Sequence, residues 1–140
     1  MSDIEPPRIL IVDDDRLMRN LMREILIRGG FRVIEAEDGQ TALGLLETLS
    51  GLRVLVTDWH MPGGVDGGRL AVLALRRRPE LRVMMVSGAQ PQGGDFAAVA
   101  RFLPKPFMAS ALLREVGRLI DAPRVIGPVA WARPAAATSH

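Results

Sequence analysis

Five short runs of aliphatic and β-branched residues, separated by stretches with helical spacing, leave this chain few ways to fold. The runs are Arg8-Ile9-Leu10-Ile11-Val12, Phe31 to Ala36, Val54-Leu55-Val56-Thr57-Asp58, Arg82-Val83-Met84-Met85-Val86 and the short Phe102-Leu103. A continuous apolar run of this length, bounded by turn signals, reads as a strand buried on both faces. Between them, apolar residues recur at the period of a helix face. They fall at Leu17, Met18, Leu21, Met22, Ile25 and Leu26, then at Ala42, Leu45, Leu46 and Leu49, then at Leu70, Leu73 and Leu75. A last helical face carries Met108, Leu112, Val116, Leu119 and Ile120. Gly29-Gly30 and Pro79 stop two of these stretches, and Asp38-Gly39 opens another. Strand and helix alternating in this way predict a parallel sheet with helices on both faces and right-handed crossovers.

The strand order follows from polarity. The first, third and fourth runs are the most apolar and belong in the middle. The second alternates in part and the fifth is short, so both belong at edges. The predicted fold is an α/β, doubly wound, five-stranded parallel sheet of order 2-1-3-4-5, the flavodoxin-like arrangement. Residues 8–121 form that domain, 1–7 lead into it, and 122–140 make an Ala/Pro-rich tail with Val125, Ile126 and Trp131 as its bulky apolar groups.

In such sheets chemistry gathers at the strand C-termini. Strand one runs into Asp13 and Asp14, strand three ends on Asp58, strand four on Ser87, and Lys105 follows strand five. Taken singly, each has an ordinary reading: Asp58 opens a Pro/Gly turn, Ser87 sits in a Ser-Gly turn, and a loop lysine is solvated. Together they converge on one edge. Three crowded carboxylates raise one another's pKa unless a cation lies between them, and Mg²⁺, a hard ion content with few carboxylates, suits the set. Lys105 is the only lysine among 18 Lys and Arg residues, so a flexible point charge stands where the chain otherwise uses the planar arginine fork.

Composition narrows the classes further. At 140 residues, 48% hydrophobic and 24% charged, the chain is an ordinary globular domain. No apolar stretch approaches the roughly 20 residues that span a bilayer, and the start of the chain lacks the pattern of a signal peptide. Without cysteine there are neither disulfides nor thiolate metal sites. A cytoplasmic protein without a membrane partner is expected. The net charge of +2 and the single basic run Arg76-Arg77-Arg78, placed at a helix end where it complements the dipole, argue against nucleic acid.

The motifs Ile9-Leu10-Ile11-Val12-Asp13-Asp14, Val56-Thr57-Asp58-Trp59-His60-Met61-Pro62, Val86-Ser87-Gly88 and Lys105-Pro106-Phe107, in that order, resemble the receiver domain of two-component response regulators. The resemblance spans residues 8–121. It implies that Asp58 is the phosphoacceptor, loaded by a phosphohistidine of a sensor histidine kinase or phosphotransfer protein. It implies that Asp13, Asp14, Asp58 and the backbone carbonyl of His60 hold Mg²⁺, and that Ser87 and Lys105 bind the phosphoryl group. Phe102 matches the aromatic switch position, although a plain core phenylalanine would read the same way.

Departures bear on the output. The loop between Met61-Pro62 and Asp66-Gly67 is one residue longer than the family pattern. Residues 88–104, which contain Gln90-Pro91-Gln92-Gly93-Gly94, leave room for a helix only from about Asp95 to Ala100, which is marginal. The surface a full helix would cover there points to a homodimer or to docking of the tail. The expected function is that of a stand-alone phosphoacceptor switch acting through protein contacts, not an enzyme beyond self-catalysed phosphoryl transfer and autodephosphorylation. The alternatives are a receiver module cut from a hybrid kinase, a phosphorylation-independent binding module, or an aspartyl phosphatase. The last wants a second acid two residues after the nucleophile, where this chain has His60. A cis Lys105–Pro106 peptide is also expected, because aiming the lysine back over the sheet edge requires a sharp turn.

Overall fold

The computed structural model describes residues 6–61, 63–88 and 100–121. Five strands, β1 (Arg8–Val12), β2 (Arg32–Ala36), β3 (Leu52–Asp58), β4 (Arg82–Ser87) and β5 (Ala100–Pro104), form one sheet in the order β2-β1-β3-β4-β5. All four pairings are parallel, so the predicted order and direction hold. Among the described residues there are four helices: α1 (Arg16–Arg28), α2 (Gly39–Thr48), α3 (Gly67–Arg77) and α4 (Ala109–Asp121).

Alternation along the strands sorts the core into two layers. Ile9, Ile11, Val54, Val56, Met84 and Val86 face Met22 and Leu26 of α1 and Leu112, Val116 and Leu119 of α4. Leu10, Val12, Leu55, Val83 and Met85 face Ala42 and Leu46 of α2 and Leu70, Ala71, Ala74 and Leu75 of α3. Both faces of β1, β3 and β4 are therefore covered, which explains their continuous apolar sequence. Each large aliphatic side chain buried this way contributes roughly 1.5–3 kcal/mol relative to exposure.

Three aspartates start helices on the same edge of the sheet. Asp15 accepts from the Leu17 and Met18 amides, Asp38 from Thr41, and Asp66 from Arg69. At the other end of α1, Gly30 takes a positive φ of 95° and reverses the chain, as the glycine pair suggested.

Several expectations need correction. Leu17 and Leu21 lie on the apolar stripe of α1 yet are 79% and 49% exposed, so the buried face is narrower than the stripe. Met108 precedes α4 and is 74% exposed rather than part of its inner face. Strand five is longer than Phe102-Leu103, and Ala100 begins it, so Ala100 ends no helix. The expected Gln90–Gly94 loop, the rest of the short helix after it, and the Val125, Ile126 and Trp131 tail lie outside the described residues, as does the suggested interface there.

Candidate functional site

The C-terminal edge of the sheet collects the residues singled out in the sequence. Asp13 directly follows β1, Asp58 closes β3 and Ser87 closes β4. The register pairs Asp58 with Val86 and Ser87 with Pro104, which sets Ser87 one step beyond the strand neighbour of Asp58. Lys105 follows β5; its amide donates to the Ser87 carbonyl at 2.9 Å, and the Lys105–Pro106 peptide is cis.

From that position the lysine reaches back across the sheet. Its Nζ lies 3.3 Å from Asp13 Oδ2 and 3.5 Å from Asp58 Oδ1. One carboxylate oxygen each from Asp13, Asp14 and Asp58 falls within 4.8 Å of the others. Asp13 is fully buried, Asp58 half-buried and Asp14 exposed.

Backbone amides hold two of these carboxylates. Asp15 N–H donates to Asp13 Oδ1 and Trp59 N–H to Asp58 Oδ1, both at 2.9 Å. Asp14 makes no hydrogen bond or ion pair with any described residue, so its aim is left to the backbone. The carboxyls of Asp13 and Asp58 are both pushed above the ordinary aspartate range. Burial is the main cause in each, opposed chiefly by the Asp15 amide at Asp13 and by the Lys105 ammonium at Asp58. Repulsion between neighbouring acids is the smaller contribution, a correction to the expectation from crowding alone.

Three carboxylates and one ammonium leave an excess of two negative charges if all are ionised. Hard oxygen donors with that excess match a divalent cation such as Mg²⁺, which uses few protein ligands and keeps several waters. The residues present therefore fit the ion.

His60 is exposed in the loop after β3, its ring edge-on to Trp59 with centroids 6.3 Å apart. Ser87 is buried at the edge. Phe102 is half-buried beside Met85 in the register and packs on the layer formed by α2 and α3. That contact suits both readings of Phe102, core residue and switch.

The sequence reading passed over Gly67. Its amide donates to the Trp59 carbonyl at 2.9 Å, and a Cβ there would overlap the Asp58 carbonyl oxygen. The start of α3 thus packs backbone against backbone on the end of β3, and only glycine permits it. The Asp66-Gly67-Gly68 run, an N-cap followed by two glycines, was the available signal. Gly39 has a similar role, since a Cβ there would lie 2.7 Å from Val65.

With the geometry in hand, its relatives are clear. The family model for the response regulator receiver domain matches residues 9–117. The chemotaxis protein CheY of Pseudomonas aeruginosa is 37% identical over 121 residues, covering 81% of this chain and 96% of that protein. The transcriptional regulatory protein CpxR of Escherichia coli is 33% identical over 122 residues, 81% of this chain but only 49% of CpxR. Among solved structures, a response regulator receiver protein from Sinorhizobium medicae superposes with a TM-score of 0.78 at 26% identity, covering 84% of this chain and 97% of that one. A doubly wound sheet with an acidic pocket at its C-terminal edge defines the class, and the chain belongs to the response regulator receiver domain family. No helix among the described residues is long and apolar enough to cross a membrane.

Proposed function

We propose that this chain is a phosphoacceptor switch that takes a phosphoryl group onto Asp58 from a phosphohistidine of a sensor histidine kinase or phosphotransfer protein. The observation that carries the reading is the placement of Lys105 Nζ 3.3 Å from Asp13 and 3.5 Å from Asp58, beside three carboxylates within 4.8 Å of one another.

The residues divide the work. A carboxylate oxygen of Asp58 attacks phosphorus, and the O–P bond forms as the P–N bond to the donor imidazole breaks. The imidazole nitrogen keeps the electron pair. Such transfers need alignment and charge neutralisation more than covalent chemistry. Lys105 supplies a flexible positive charge that leaves the carboxylates for the incoming phosphoryl oxygens, and the Ser87 hydroxyl donates a hydrogen bond to one of them. Asp13, Asp14, Asp58 and the His60 carbonyl would hold Mg²⁺, which when bound supplies electrostatic stabilisation of the transferring phosphoryl group.

Phe102 would shift with Ser87, biasing a surface that protein partners read. The chain acts on no substrate beyond its own aspartyl phosphate, and its setting is the cytoplasm.

The test is intact mass after incubation with acetyl phosphate, with and without Mg²⁺. A gain of one phosphoryl group that needs Mg²⁺ and vanishes in Asp58→Asn is expected; an unchanged gain in that variant would sink the assignment.

A further inference from the structure

Asp14 has no side-chain partner of its own among the described residues, yet it belongs to the acidic cluster. Its aim depends on how the peptide between Asp13 and Asp14 is held. The amide of Asp13 continues the ladder to the Ala36 carbonyl at 3.3 Å, but β1 ends at Val12 and no backbone amide among the described residues donates to the Asp13 carbonyl. Arg19, one turn into α1, meets that carbonyl: its Nη1 donates to Asp13 O at 2.8 Å.

The arginine is itself gripped from behind. Its Nε lies 3.3 Å from Glu35 Oε1 on β2, and the other oxygen of Glu35 lies 3.3 Å from Nε of Arg23. The Arg19 side chain is only 15% exposed, so its charge and its geometry are both confined. A planar guanidinium satisfies the carbonyl and the carboxylate at once because its donors are fixed in a fork. The brace thus links β1, α1 and β2 at the one peptide between two candidate ion ligands.

We propose that Arg19, braced by Glu35, is a positioning residue for the ion pocket: it fixes the Asp13 carbonyl and, through that peptide, the aim of Asp14. The inference rests on the proposed Mg²⁺-dependent function. The sign of its effect separates it from plain electrostatics. Removing a nearby positive charge should tighten binding of a cation by Coulomb's law, whereas removing a positioning group should weaken it. Partners that orient metal ligands typically account for 10–100-fold in affinity.

The experiment is Mg²⁺ titration calorimetry on the full chain, paired with amide hydrogen exchange at Asp14 and Asp15 in the metal-free protein. Arg19→Gln should weaken Mg²⁺ binding roughly tenfold and speed exchange at those amides. Arg19→Lys, with a donor but no fork, should recover part of both. Arg23→Gln removes an ion pair to the same Glu35 without touching Asp13, and should leave both readouts within about twofold. Should Arg19→Gln fail to fold, Arg19→Lys stands in for it: the charge is kept and the fork is lost, so weaker Mg²⁺ binding than wild type with faster exchange at Asp14 and Asp15 is expected, and wild-type values of both overturn the inference.

Equal or tighter Mg²⁺ binding in a folded Arg19→Gln protein overturns the inference. So does an Arg23→Gln protein that loses as much as Arg19→Gln, which would mark a general effect of ion pairs on α1. A wild-type protein that takes up no Mg²⁺ overturns the functional reading instead, and the metal-free exchange comparison then decides whether Arg19 holds the peptide.

Discussion

The two edges of the sheet answer the same electrostatic problem in opposite ways. The four helices among the described residues run back from the C-terminal edge, so their positive N-termini face it and their negative C-termini face the other. At the N-terminal edge β1, β2 and β4 each open on an arginine, and β3 carries one at its second residue. Three of these arginines reach carbonyls: Arg8 donates to Ser50 at 3.0 Å, Arg32 to Pro6 at 2.8 Å and Arg53 to Ile120 at 3.2 Å. Arg78, at the end of α3, donates to the Leu49 carbonyl that closes α2. Charge meets carbonyl acceptors there, although the buried Nε of Arg8 has no hydrogen-bond partner among the described residues. The C-terminal edge gathers carboxylates instead, and burial holds two of them above their normal pKa with a single ammonium in attendance. One edge sets its arginines on carbonyls of its own chain, and the other gathers three carboxylates around one ammonium.

The largest effect should follow from disturbing the backbone contact that builds the acidic edge. Gly67→Ala forces a Cβ into the Asp58 carbonyl, and overpacking against backbone should cost about 3 kcal/mol. Urea unfolding measures it; a variant of wild-type stability would mean that α3 moves freely over β3. Next comes the arginine edge. Arg53→Ala removes the donor to the last turn of α4, and should cost about 1.5 kcal/mol while leaving Mg²⁺ affinity alone. A matching loss of Mg²⁺ affinity would show that the two edges are not independent.

The contrast also explains what could be read in advance. Strand order was legible because polarity ranks the strands, and the acidic set because every strand end sits on one edge. The exposure of Leu17 and Leu21 was not, since six apolar residues on α1 say nothing of how much of that stripe the sheet and α4 can cover. Nor was the brace on Asp13: Arg19 and Glu35 are sixteen residues apart and read as surface charges until β2 and α1 are packed together. Arginines at strand starts were visible in sequence, but their carbonyl partners belong to segments brought near only by the fold.

A smaller effect tests the stress at the acidic edge. Folding raises the carboxyls of Asp13 and Asp58 above 3.8, so the folded state keeps protons that the unfolded chain releases. Their contribution to stability is complete below pH 3.8 and is lost as pH climbs through the raised folded values. Asp13→Asn keeps an oxygen for the Asp15 amide and carries no charge to desolvate. The metal-free variant should therefore gain stability on wild type as pH rises through that window, and on the proposed function it should gain less than wild type from added Mg²⁺. Urea midpoints across pH, with and without Mg²⁺, give both curves; a variant that falls behind wild type on approaching neutrality would remove the claim of stress.

The smallest effect places two aspartates of the same edge side by side. Asp38 caps α2, its Oδ1 accepting from the Thr41 amide at 2.7 Å, and that bond holds its carboxyl below the ordinary range. Here negative charge meets a helix N-terminus with little burial to oppose it. Asp38→Ala should cost about 1 kcal/mol at neutral pH. Because the folded pKa is depressed, that contribution is present above pH 3.8 and disappears as pH falls through the folded value. The difference curve between wild type and Asp38→Ala should therefore rise with pH where that between wild type and Asp13→Asn falls. Two curves of the same sign would mean that position on the edge, rather than burial against hydrogen bonding, decides how a carboxylate there behaves. Opposite signs would confine the stress to the pocket around Asp13 and Asp58 and leave Asp38 as an ordinary cap.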